Sequence, residues 1–126
     1  MVNKFSKERV FYLIITLVIA IAIFLVSSIS SFPAVETHGF DLSIVYHFGV
    51  FFMFTFFLTL TLTNKKMDIK TITIVLLISL SYAISDEFHQ LFVQGRFADI
   101  KDAATDFLGS LCSVLLIKFI KKFRKI

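Results

Sequence analysis

Between Asp86 and Asp106 the chain sets Asp86, Glu87, His89, Gln90, Arg96, Asp102 and Asp106 in a largely apolar background, and His47 stands earlier in similar company. Three kinds of chemistry are open to such a group. Carboxylates and imidazoles exchange protons, so Asp86 and His89 are the candidate catalytic pair for general acid/base work. A guanidinium binds phosphate or carboxylate through two parallel hydrogen bonds, which makes Arg96 the candidate holder of an anionic headgroup. His47, Asp86, His89 and Asp106 together offer oxygen and nitrogen donors of the kind Zn²⁺ or a harder cation takes. The run Asp-Glu-Phe-His is not the H-E-x-x-H arrangement, however, and one such helix supplies too few ligands. No metal or cofactor is therefore expected.

Helical spacing gathers these residues. Positions three and four apart share a face, so Tyr82, Asp86, His89 and Gln90 form one stripe with Ser79 below. Asp102, Asp106, Gly109 and Ser113 form a second stripe, and Ser43 stacks with His47 on a third helix. Glu87 lies about 100° from its neighbours' stripe, toward an adjacent helix or the rim. Gly109 and Ser110 are small enough to bring two helices close together.

The elements that must hold these groups are membrane spans. Hydrophobic residues make up 57% of the 126-residue chain and mean hydropathy is +0.87, above the roughly 45–50% apolar content of soluble domains. Four apolar stretches account for the excess, at about 10–29, 43–63, 71–93 and 100–120. Each is near the roughly 20 residues that cross about 30 Å of hydrocarbon. The expected fold is all-α, one domain over 1–126, a bundle of four transmembrane helices. The first stretch follows a basic start, but its apolar core exceeds that of a signal peptide and no A-x-A site follows, so it reads as a span. Cys112 is the single cysteine, which excludes an internal disulfide.

Charge orients the bundle. Lys4, Lys7 and Arg9 precede the first span, Lys65, Lys66 and Lys70 separate the second and third, and Lys118, Lys121, Lys122, Arg124 and Lys125 end the chain. Only Arg96 and Lys101 fall on the other side. The positive-inside rule then puts both termini in the cytoplasm, with the basic tail on anionic headgroups rather than on nucleic acid. The outer loop carries Pro33, Glu36, His38, Gly39 and Asp41. Asp86 follows Thr71 by 15 residues, about 22 Å along a helix, which places it in the outer third of the bilayer. His47, Asp102 and Asp106 reach the same level, and the groups are expected to line one cleft facing outside.

Several functions fit such a cleft. In a structural account, Arg96 pairs with Asp86 or Asp102, and His47 or His89 bonds an aspartate, as buried polar groups require. Four acids, two histidines and a glutamine at one depth exceed that need. A binding account has His47, Asp86, Glu87, His89, Gln90, Arg96, Asp102 and Asp106 hold a lipid headgroup; an enzymatic one adds proton transfer. Proton conduction is disfavoured, because the inner halves of the helices offer only Ser and Thr and no charged path reaches the cytoplasm.

The motif Asp86-Glu87-x-His89-Gln90, then Gly95-Arg96, then Asp102, Asp106 and Gly109, resembles the VanZ-like family of small bacterial membrane proteins. His47-Phe48 is similar to that family's Asp-Lys-x-x-His-Phe element. Ser43 and Ile44 stand where the family has aspartate and lysine, Asp106 where asparagine is common, and Gln94 where proline is frequent. The resemblance implies the bacterial cytoplasmic membrane and a link to teicoplanin resistance, with a membrane lipid or lipid-linked envelope precursor as partner. The orientation is directly testable. Alkaline phosphatase fused after Arg96 is expected to be active, and a fluorescent protein fused to the C-terminus to fluoresce; the reverse pattern would invert the topology.

Overall fold

The computed structural model describes residues 6–30, 42–64 and 67–124. The outer-loop residues Pro33, Glu36, His38, Gly39 and Asp41, and the cations Lys4, Lys65, Lys66 and Lys125, lie outside them. The described residues form four helices, α1 (Lys7–Ser27), α2 (Leu42–Leu62), α3 (Ile69–Gln90) and α4 (Ile100–Phe123), all long and apolar enough to cross a membrane. No strand occurs among the described residues.

The N-termini are set by short polar side chains. Asp68 Oδ1 accepts from the Thr71 N–H at 2.8 Å, and Asp99 Oδ1 accepts from the Lys101 N–H at 2.9 Å, each satisfying a donor that the first helical turn leaves open. Hydrogen bonding to Thr71 holds the Asp68 carboxyl below its ordinary value. Its contribution is therefore complete at neutral pH and lost as acid protonates the cap. Serines and threonines within the spans turn back to the carbonyl four residues earlier, as in Thr16 to Tyr12, Thr59 to Thr55 and Thr105 to Lys101. A hydroxyl satisfied this way is tolerated in an apolar setting.

Helix α3 ends at Gln90, short of the Val93 expected from hydropathy. Beyond it the N–H groups of Leu91, Phe92 and Val93 bond three residues back, to Phe88, His89 and Gln90, tightening the chain into a turn. Gly95 completes that turn with φ +80°. A side chain there would collide with the Ser30 carbonyl, so glycine answers both the conformation and the close approach.

Consecutive helices run antiparallel. Arg9 at the start of α1 donates from Nε to the Thr61 carbonyl at 2.8 Å, and Lys121 near the end of α4 donates to the Asn64 carbonyl at 3.3 Å. Neither α1 nor α2 has a basic residue in its own last turn. Cations from elsewhere meet the exposed carbonyls there, where the helix dipole favours positive charge.

Helix α2 is the hub and packs against all three others, α4 above all. Its Phe51 and Phe54 rings sit 6.0 and 5.1 Å from Tyr82 of α3, and the Tyr82 hydroxyl donates to the Ala20 carbonyl of α1. Thr55 of α2, Ser79 of α3 and Ser110 of α4 meet in the centre, at 2.9 and 2.8 Å. Each hydroxyl has one hydrogen, and Ser110 gives its own to the Asp106 carbonyl. Thr55 therefore donates to Ser110, and Ser79 to Thr55. Against this hub, α1 is largely open to its surroundings, with Phe11, Leu17, Val18, Ile21 and Leu25 exposed as lipid-facing side chains are.

Gly109 makes the α2–α4 contact close: a Cβ there would drive into the Phe48 backbone, whereas one at Gly49 would meet nothing. Gly109→Ala is thus expected to lower the unfolding temperature in detergent. Gly49→Ala should hold or raise it, since alanine favours a helix by about 1 kcal/mol over glycine. Equal responses at the two positions would refute the close-packing account.

Candidate functional site

At the end of the bundle where α1 and α3 finish and α2 and α4 begin, a cavity of about 300 Å³ opens, lined by Ser43, His47, Gln90, Arg96, Asp99 and Asp102 among others. A larger groove of about 420 Å³ between Phe54, Leu77, Ile78, Tyr82 and two serines carries only hydroxyls as polar groups. Groups able to bind charge or move protons belong to the smaller one.

Beside its lining residue His47, three helices bring side chains together. His47, buried on α2, holds Asp106 of α4 through Nδ1 at 2.8 Å from Oδ1. A carboxylate accepts, so Nδ1 carries the proton. The other ring nitrogen, Nε2, lies 3.6 Å from Oδ2 of Asp102, beyond hydrogen-bonding distance. Glu87 of α3, also buried, accepts the Asp99 N–H on Oε2 at 2.9 Å. It thereby ties the end of α3 to the residue that caps α4. Asp106 has no exposed surface, and its Oδ2, like Oε1 of Glu87, has no hydrogen-bond partner. One donor atom from each of His47, Glu87 and Asp106 lies within 4.8 Å of the others.

The remaining expected residues divide. Asp86 is buried and accepts from Gln90 Nε2 at 3.3 Å, and it lies within electrostatic reach of Asp106 and Tyr46. His89, half-buried, faces α1: its ring stacks on Phe24 with centroids 4.6 Å apart, and Nε2 lies 2.9 Å from Ser28 Oγ. Ser28 gives its hydrogen to the Phe24 carbonyl at 2.7 Å, so His89 is the donor. The aspartate–histidine contact in this fold is His47 with Asp106 and Asp102, rather than Asp86 with His89. Arg96 lines the cavity while Nε and Nη2 donate to the Ile29 and Val26 carbonyls at 3.0 and 3.1 Å, closing the end of α1.

The sequence reading missed three contributors. Asp99 is a conspicuous N-cap aspartate whose backbone reaches Glu87. Phe24 lies on α1 and Ser28 just beyond its end, and nothing in their types announces a contact with His89. Glu87 was placed off the α3 stripe, and the fold turns that same direction toward His47 and Asp106.

The helix count, the order of the polar stripes and the acidic cluster come with a match over nearly the whole length to one family. Residues 3–121 fit the VanZ/LLP1 family model. The chain belongs to the VanZ/LLP1 family. No curated protein and no solved structure matches it. For this VanZ-family protein the site's architecture therefore rests on its own geometry.

Breaking a buried charged contact exposes its worth. His47→Ala strands the Asp106 carboxylate, and Asp106→Ala strands the imidazole, each at a cost of about 3–5 kcal/mol. The double substitution is expected to cost less than the sum, with a coupling of about 1–3 kcal/mol in unfolding measurements. Strict additivity would mean the two side chains do not support one another.

Proposed function

We propose that this VanZ-family protein works in the bacterial cytoplasmic membrane with both termini inside and the cavity at the outer leaflet. There it binds or alters a lipid-linked envelope component, and so shifts susceptibility to teicoplanin-type lipoglycopeptides. The observation that carries this reading is a charged cavity with an apolar rim. Phe92, Phe97 and Ile100, on and beside the α3–α4 connection, are 75%, 87% and 85% exposed, while Glu87 and Asp106 below them are buried. An amphiphile matches both parts, its headgroup against the polar lining and its chains along the aromatic rim. The basic residues favour this orientation by the positive-inside rule. The family name suggests a role in glycopeptide resistance.

A second reading, a membrane enzyme acting on a lipid headgroup, is favoured by the His47–Asp106 pair. A carboxylate fixing the imidazole through Nδ1 leaves Nε2 toward the cavity, the arrangement in which histidine takes up a proton from a bound group. The residues that would act are His47 and Asp106, with Asp86 and Gln90 beside them.

One experiment separates the readings. A host lacking the gene would express the wild type or Asp106→Asn at equal membrane levels. Its lipids and lipid-linked wall precursors would be profiled by mass spectrometry alongside teicoplanin susceptibility. A change in susceptibility with an unchanged lipid profile supports binding. A species that appears or disappears only with the wild type supports catalysis and identifies the substrate class. Unchanged lipids and unchanged susceptibility would overturn both.

A further inference from the structure

The acids around the cavity outnumber its cations. Asp86, Glu87, Asp99, Asp102 and Asp106 converge on Arg96 and one imidazole, and Arg96 is engaged with main-chain carbonyls of α1. An anionic headgroup alone is a poor electrostatic match for so acidic a surround. Within it, Nε2 of His47 lies 3.6 Å from a carboxylate oxygen of Asp102. Oε1 of Glu87 and Oδ2 of Asp106 belong to side chains 7% and 0% exposed and have no hydrogen-bond partner. Buried, unpartnered carboxylate oxygens are costly, and a proton or a bound cation neutralises them.

We infer that His47, Glu87 and Asp106 form a binding site for a divalent transition-metal ion, Zn²⁺ or Mn²⁺, with Asp102 at its edge. The ligand types select the ion class. Imidazole nitrogen suits Zn²⁺ and its neighbours, carboxylate oxygen suits Mn²⁺, and an all-oxygen set of Mg²⁺ or Ca²⁺ type is broken by the histidine. The spacing also fits. Donors about 2.0–2.2 Å from an ion lie at most about 4.4 Å apart, so a set spread over no more than 4.8 Å closes on the ion by small side-chain movements. On binding, the ion would replace the bond between Asp106 Oδ1 and His47 Nδ1.

The sequence offered His47, Asp86, His89 and Asp106 as donors and set a metal aside for want of the H-E-x-x-H pattern and of enough ligands on one helix. The fold draws them from three, and uses Glu87 in place of Asp86 and His89. The site goes beyond the lipid reading and does not depend on it. If that reading also holds, the ion would supply the positive charge through which a phosphate-bearing headgroup could enter an acid-rich cavity.

The test uses the full chain in detergent, stripped with chelator and then exposed to Zn²⁺ or Mn²⁺ alone, with no lipid added. Elemental analysis after gel filtration is expected to find about one ion per chain. Titration calorimetry should show affinity falling at least about tenfold in Glu87→Gln, Asp106→Asn and His47→Gln, and unchanged in Asp68→Asn at the opposite end of the bundle. X-ray absorption of the Zn²⁺-loaded wild type should show nitrogen and oxygen neighbours including one imidazole. Failure of both ions to reach half occupancy would overturn the site. So would sulfur among the neighbours, or affinity that survives both carboxamide substitutions. Should a variant lose its helical signal or elute as aggregate, the wild-type stoichiometry and absorption spectrum decide. A metal-free protein that still alters drug susceptibility would sink this inference and leave the lipid reading standing.

Discussion

Everything in the upper half of the bundle follows from a carboxylate that has no exposed surface. Asp106 lies on α4 one turn before Gly109, where α4 rests on the backbone of α2, and at that separation the carboxylate meets His47 directly. A charge so placed is costly unless partnered, so the helices that supply its partners are constrained in rotation and in height. Helix α2 must present His47, and α3 must bring Glu87 to the same level. The Ser79–Thr55–Ser110 relay ends on the Asp106 carbonyl. The main chain beneath the carboxylate is thereby fixed by the same three helices that surround its side chain.

The four spans were legible because the bilayer imposes one length and one composition on them, and a hydropathy count reads both. Their ends were less so. Val93 is apolar enough to continue a helix, but the turn after Gln90 is set by Gly95 and by where Ser30 lies, and Ser30 is remote in the sequence. The gathering of polar residues at one level was also legible, since helical rise converts position into depth. Rotation was harder. Asp86 and Gln90 fall together as their spacing predicts, yet His89 turns to α1 and Glu87 to the centre, because the direction of each neighbour is a property of the packed bundle.

Two of the arginines teach a related lesson. Counted as charges, Arg9 and Arg96 speak only of topology and of anionic ligands. In the fold, Arg9 meets a carbonyl at the end of α2 and Arg96 meets two at the end of α1. No local pattern marks these pairings, since donor and acceptor are joined only in three dimensions. What the sequence did offer was negative: neither α1 nor α2 has a basic residue in its own last turn.

Borrowed capping has a consequence for biogenesis. Val26 and Arg96 are 70 residues apart, and at about 5–20 residues per second of synthesis the arginine emerges roughly 4–14 seconds after the helix end it will close. During that interval the end of α1 lacks the hydrogen bonds that Arg96 will supply. The helix that looks most like a passive anchor is therefore closed at its end only when the α3–α4 connection arrives.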